Sequence, residues 1–531
     1  MSDIYDEKWL RFVLISKPEQ SGKTFIMIRH IITEITDPIK TKEIINIILC
    51  DNNLLLAKQT SGRVEHDLRE YIVDDVVYIE LSSHSRTDYH DFTSVFHAIL
   101  TKNVRNIICC TNGRRMDDIY QLINDINRSE YTMGKFHFNI WLDEADKFIK
   151  FIDNTLIPIV QSSTNVDVKL ITATSDPLFK HYKYINVLPI EHPVQENYHG
   201  WADNIIRIIE KRGDYLDYIE HILGCVAPHC IIPGTKWLIP GKSTKRSHIA
   251  IKDVCIEKGM AVICVNSDGI ILYMPHTLER IDYKKDDEFN KKIIAIYREQ
   301  GLHRYPFVIT GNICIGRGIT IMCNKFMIDY GILSYFATKS EASQIAGRFK
   351  GNIKGLTNYR SDRVPTIFTT PNFNEVAIEW EQKSIALAKL AFKKEQEGLI
   401  TVVDRSEFKT CDKNYDYIKI PTLFNSFEEA KQELVRRERE MMTKVKITKK
   451  SVIHECEGYL VTSKLLTNGE TVESLTKEHR LTKEKAALIA NSRCISSTDK
   501  GSRYLILPVY ENESSLPRDV KYEVRYIRFE Q

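Results

Sequence analysis

Arg11-Phe-Val-Leu-Ile-Ser16 runs directly into Lys17-Pro-Glu-Gln-Ser-Gly-Lys-Thr24, and a helical pattern, Phe25–Ile32, follows. Strand, loop, Gly-Lys-Thr, helix is the context in which backbone N–H groups of a loop and of a helix N-terminus face the phosphates of a nucleotide. In that reading Ser21, Gly22, Lys23 and Thr24 form the cradle. Gly22 lets the backbone approach, Lys23 supplies a point charge to the outer phosphates, and the Thr24 hydroxyl can hold Mg²⁺. One departure stands out: the first-glycine position of such loops is filled by Lys17.

Outward from this stretch the chain alternates short apolar runs with longer helical patterns. Arg11–Ser16, Ile44–Cys50, Val76–Leu81, Arg105–Cys110, Phe138–Leu142 and Val168–Thr172 read as buried strands. Such alternation implies a parallel sheet covered by helices on both faces. The pattern restarts after a Pro-containing connection, Leu188–His199, with Lys236–Pro240, Met260–Val265, Phe307–Thr310, Lys325–Asp329 and Thr366–Thr369 as strands of a second sheet. Val376–Gly398 and Phe427–Thr443 read as helices. Beyond them come a basic run at Lys444–Lys450, two short helical patterns, Thr471–Arg480 and Thr482–Asn491, and two strands, Arg503–Tyr510 and Val520–Phe529. That closing order of elements is the order found in a winged helix. The expected organisation is therefore residues 1–190 and 200–375 as two α/β domains, 376–442 as a helical extension and 443–531 as a small α/β accessory module.

The strand Phe138-Asn-Ile-Trp-Leu142 ends in Asp143-Glu144-Ala145-Asp146. A strand delivering two acids at its C-terminal end suits metal-assisted phosphoryl chemistry: Asp143 holds Mg²⁺ and Glu144 orients and activates the attacking water.

Through these motifs the chain resembles a superfamily 2 helicase, of the divergent type found in large DNA viruses and phages. Asp143-Glu-Ala-Asp146 matches the DEAD signature, and other short matches follow in the family's order over roughly residues 10–370. Leu54-Leu-Leu-Ala-Lys-Gln59 resembles motif Ia, Thr111-Asn-Gly-Arg114 motif Ib, and Thr172-Ala-Thr174 the Ser-Ala-Thr motif that couples two lobes. Gly316-Arg-Gly-Ile-Thr320 resembles motif V and Gln344-Ile-Ala-Gly-Arg348 motif VI. The resemblance implies two tandem RecA-like domains that hydrolyse ATP, or another NTP, with Mg²⁺ in the cleft between them. It implies Glu144, Gln344 and Arg348 as catalytic residues, with Arg348 reaching across the cleft, and Arg317 as a further nucleotide contact. It also implies that Lys58, Gln59, Thr111, Arg114 and Thr320 grip DNA or RNA. Gly351 stands where motif VI often carries a second arginine, and the stretch before the loop is expected to be too short for the adenine-reading Q motif.

The bulk numbers fit. The 531 residues leave room for about three domains. A net charge of +3 makes any basic binding surface a local one. Twelve cysteines without a disulfide-framework spacing point to a reduced, intracellular setting, in the cytoplasm or nucleus of a host, with the virion as a further place for a viral protein. No apolar run is long enough for a membrane span. His221, Cys225, His229 and Cys230 lack the paired spacing of a zinc site, and Trp201 and Trp237 read as core rather than base-stacking residues. Replication or transcription machinery is the natural setting for such a motor, and oligomeric state is open. The competing expectations are a translocase that remodels protein–nucleic acid complexes without unwinding, and a binding scaffold with a degenerate motor.

Overall fold

The computed structural model describes residues 10–37, 39, 41–51, 54–72, 76–81, 91–210, 213–277, 280–283, 289–312, 321–412, 415–441, 454–456, 459–461, 468–469, 471, 473–474, 503–512 and 514–529. Two compact units result. The larger comprises Arg11–Leu178 and Leu188–Phe392.

Its first lobe carries β1 (Phe12–Ser16), β2 (Glu43–Cys50), β3 (Ile79–Leu81), β4 (Asn106–Cys110), β5 (Phe136–Leu142) and β6 (Val166–Thr172), in the order β1-β6-β5-β2-β4-β3. Every pairing among them is parallel. The register sets Ser16 beside Thr172, and Leu49 beside Leu142, so the chain leaves β1, β5 and β6 at one edge of the sheet. Helices α1 (Lys23–Thr36), α2 (Leu54–Leu68), α3 (Phe92–Thr101) and α4 (Gly113–Arg128) return between strands. Strands buried on both faces are near-continuously apolar, which is why Ile-Ile-Leu-Cys and Ile-Ile-Cys-Cys read as unbroken runs. The strand expected over Val76–Leu81 is shorter, Ile79–Leu81.

The second lobe holds β8 (Ile205–Ile208), β9 (Lys236–Leu238), β10 (Ala261–Asn266), β11 (Gly269–Tyr273), β12 (Arg280–Tyr283), β13 (Phe307–Gly311), β14 (Tyr330–Leu333) and β15 (Thr366–Thr369). Their order is β12-β11-β10-β13-β9-β14-β15-β8. The six from β10 to β8 pair in parallel, and β11 and β12 add an antiparallel flap. Side chains alternate between two cores: Leu238, Ile263 and Ile309 face one, Trp237, Val262 and Val308 the other. Trp201 and Trp237 are both fully buried, with indole N–H groups donating to Asn374 and Thr235. The strand expected at Lys325–Asp329 lies later, at Tyr330–Leu333. Asp329 is spent on anchoring, since its carboxylate accepts from the Lys236 backbone N–H at 2.9 Å and from its ammonium at 2.7 Å. The helix expected over Val376–Gly398 spans Pro371–Gln396. Gly398, with φ of 69°, follows its end, where Leu399 N–H returns to the Lys394 carbonyl.

The other unit is built on Phe179–Val187 and residues from Lys393 onward. β7 (Tyr184–Val187) pairs antiparallel with β16 (Val402–Asp404), Arg405 donates to the carbonyls of Phe179 and Lys180, and Phe179 stacks on Phe408. A five-stranded sheet, antiparallel in every described pairing, runs β17 (Tyr415–Lys419), β21 (Lys521–Phe529), β20 (Arg503–Tyr510), β19 (Tyr459–Val461), β18 (His454–Cys456). Helix Phe427–Met441 and this sheet share a small core that includes Ala430, Ile506 and Val524. The expected closing hairpin is thus two strands of a larger sheet. The basic run at 444–450 lies outside the described residues, as do the two expected helices over 471–491, apart from residues 471, 473 and 474. Among the described residues no helix is long and apolar enough to cross a membrane.

Candidate functional site: a cleft lined by both lobes

The loop after β1 turns back on itself. Lys17 N–H donates to the Thr172 carbonyl on β6, and the Ser21 hydroxyl donates to the Pro18 carbonyl at 2.7 Å. Gly22 then takes φ of 92° at the N-cap of α1, a left-handed position that a side chain would strain. Gly22 makes no side-chain cap bond here, and the helix start it opens, Gly22 to Phe25, lines a cavity.

That cavity has a volume of about 420 Å³, within the range of small-ligand sites. Lobe one contributes Gly22, Lys23, Thr24, Asp143 and Glu144, and lobe two contributes Arg348, Asn352 and the apolar Met322, Ile353 and Leu356. The acids arrive as the chain leaves β5. Asp143 accepts from the Glu144 N–H at 3.0 Å, and Glu144 itself sits at φ of 52°. A left-handed non-glycine residue costs on the order of 1–3 kcal/mol and is held only where surroundings over-determine it. Here the Gln344 side-chain amide supplies one constraint, donating to the Glu144 carboxylate at 2.9 Å from the opposite lobe.

Charges crowd the cavity. The Lys23 ammonium donates to Glu19 at 3.1 Å. Burial alone would lower the Lys23 pKa, but Glu19, Glu144 and Asp143 hold it above the ordinary lysine value. Burial, with the Glu19 and Asp143 carboxylates, lifts Glu144 well above the usual range, against Lys23. Burial also raises Asp143, again against Lys23. Arg348 is 1% exposed; burial lowers its pKa while Glu19 and Glu144 oppose the shift. At the site's flank, Thr172 and Thr174 each donate to Asp146 at 2.8 Å, and Ser340 of lobe two donates to the same carboxylate at 3.2 Å. Both Thr24 and Asp143 present hard oxygen donors on one cavity, the donor chemistry Mg²⁺ takes alongside phosphate oxygens.

The structure therefore gathers Gly22, Lys23, Thr24, Asp143, Glu144 and Arg348 around one cavity, with Gln344 bonded to Glu144, while Ser21 is fully buried with its hydroxyl on the Pro18 carbonyl. Gln59, expected at the nucleic acid, lines the same cavity. Thr111 is buried with its hydroxyl donating to the Cys50 carbonyl at 2.8 Å. Arg114 is exposed on the first turn of α4, beside the Asn112 cap. Lys58 belongs to α2, with its side chain outside the described residues, and Arg317 and Thr320 also lie outside them. Lys350 is paired with Glu381 at 3.3 Å.

Sequence reasoning missed Glu19, Arg63 and Ser340. Arg63, one helical turn after Gln59 on α2, lines the cavity and lies 3.4 Å from the Thr24 hydroxyl. Spacing of Gln59 and Arg63 at i, i+4 was the available signal for a shared face.

No family model matches the chain, and no curated protein matches it by sequence. Solved structures do match. A single-residue variant of Dbp5 from S. cerevisiae, bound to RNA and ADP BeF3, is 15% identical over 70% of this chain and 83% of its own, with a TM-score of 0.39. The helicase Lhr of Mycobacterium smegmatis, bound to ssDNA and AMP-PNP, is 10% identical over 97% of this chain and 78% of its own, with a TM-score of 0.38. The NS3-like helicase of Alongshan virus is 10% identical over 75% and 87%, with a TM-score of 0.34.

Proposed function

We propose that this chain is an NTP-driven nucleic-acid helicase or translocase of the superfamily 2 type, hydrolysing ATP or another NTP between two RecA-like lobes. The observation that carries the reading is Arg348, a lobe-two arginine buried in the same cavity as Lys23, Asp143 and Glu144 of lobe one. Phosphoryl transfer needs positioning and neutralised charge more than covalent help from the protein. In this reading Ser21, Gly22 and Lys23 cradle the outer phosphates, and Glu144 orients the attacking water. Gln344 holds Glu144 in place, and Arg348 stabilises charge that develops on the transferred group. Thr24 and Asp143 would hold Mg²⁺, which supplies further charge neutralisation when bound. Because the catalytic set is split between lobes, hydrolysis requires closure, and lobe movement follows chemistry.

Nucleic acid then tracks along the lobes through phosphate contacts that carry no sequence preference. Lys58, Arg114 and Thr320 are proposed for that grip, Arg317 for the nucleotide and Gln59 for the junction between the two; Thr111, expected in the grip, is buried with its hydroxyl spent on the Cys50 carbonyl. The test is the NTPase rate with single- and double-stranded DNA and RNA, for wild type and Lys23→Ala. A stimulated rate that Lys23→Ala abolishes is expected. An unchanged stimulated rate in that variant would sink the assignment.

A further inference from the structure

Glu19 sits inside the phosphate loop, where an anion opposes the loop's own purpose. It is 3% exposed and lines the cavity with Lys23 and Arg348. One carboxylate oxygen accepts from the Lys23 ammonium, and the other, Oε1, is buried with no hydrogen-bond partner among the described residues. Burial works against its charge, but Lys23 and Arg348 outweigh burial and keep it ionised. Its stem is wedged as well. A Cβ on Gly347 of lobe two would lie 2.6 Å from the Glu19 Cβ and 2.9 Å from its Cγ, so the side chain fills the notch that this glycine leaves.

We propose that Glu19 is a built-in rival of the nucleotide's phosphates for the cations of this cleft. The inference rests on the motor reading above. Triphosphate oxygens entering the loop meet an ionised carboxylate already bound to Lys23, and two anions cannot share that ammonium at full strength. Glu19 must withdraw. The Gly347 notch lets it do so freely only when lobe two moves back. Nucleotide entry is thereby tied to lobe separation, and the resting affinity is held down.

The test is calorimetric binding of MgADP and of AMP-PNP with Mg²⁺ to the full chain, as wild type, Glu19→Gln and Glu19→Met. Gln removes the charge at nearly constant shape, and Met also removes the polar head while keeping volume. Losing the competing charge-assisted bond should tighten binding about fivefold or more in either variant. A residue that merely braces Lys23 would give the opposite sign. Unchanged or weaker binding in the variants that fold, beside a wild type that binds, overturns this inference and leaves the motor reading standing. A wild type that binds neither nucleotide overturns the motor reading and this inference with it.

Discussion

Two residues depart from the motifs they sit in; the structure gives Gly351 a physical reason and Lys17 a physical cost. Gly351 stands where a second arginine is common. It has φ of 129°, and a Cβ there would meet the Gln20 Cβ at 2.9 Å and the Gln20 carbonyl oxygen at 3.3 Å. The two lobes approach so closely at this point that no side chain fits, which leaves Arg348 as the cation of that segment facing the cavity. Lys17 replaces the first glycine of the loop and is 3% exposed. Burial, then the neighbouring Lys23 charge, brings its pKa down from 10.5 to about 8. A folded-state value below the unfolded one means that between about 8 and 10.5 the unfolded chain binds more protons. Stability should therefore rise with pH across that window, and the cost of burying the ammonium is fully present below about 8. Lys17→Met, which keeps the stem and removes the charge, should be more stable than wild type at pH 7. The difference should close as pH approaches 10. Urea unfolding at stepped pH checks this, and parallel curves for the two proteins would refute it.

At the scale of elements, the strand–loop–helix beginning at Phe12, the acids after β5 and the positions of most parallel strands along the chain could be read from sequence, because buried parallel strands are unbroken apolar runs; their order within each sheet could not. What escaped were strands whose identity depends on partners. β11 follows a tight turn through Ser267 and Asp268, and β8 is an edge strand with exposed isoleucines that carries no alternation to read. Ser340 escaped for a related reason, since a serine at a helix start looks like ordinary capping chemistry. Its neighbour Thr338 is the actual cap, and Ser340 is left to reach Asp146 and Thr174 at 3.2 Å each. Asp146 keeps the two threonine hydroxyls without it, so Ser340→Ala strands no buried carboxylate. Unfolding free energy should fall by about 0.5–1.5 kcal/mol, the worth of one hydrogen bond. The hydrogen bond that this variant removes joins the lobes, so nucleic-acid stimulation of the NTPase should fall several-fold while the basal rate holds. Equal decreases in both rates would show that Ser340 serves the chemistry and not the coupling.

For the molecule as a whole, the sequence could order the motifs but could not say that their side chains share one space. That is a property of the folded lobes, which join Gln344 to Glu144 across 200 positions of chain, and Glu19 shows what such reading leaves out: the charge balance of a cleft is set by how both lobes close around it. Lys23 and Arg348, 325 positions apart, belong to one electrostatic set through Glu19 and Glu144. Groups that stabilise the same transferring phosphoryl act as a unit, so their deletions do not add. Arg348→Lys keeps a positive charge beside the buried carboxylates and so avoids stranding them, but it loses the planar fork. It should retain nucleotide binding and slow hydrolysis by about a hundredfold or more. Lys23→Met should lose binding as well as turnover. The double variant should then be about as slow as Lys23→Met alone, measured as kcat/KM in one buffer with saturating nucleic acid. If the two effects multiply instead, the residues act on separate steps, and a single shared nucleotide no longer explains why both lobes line this cavity.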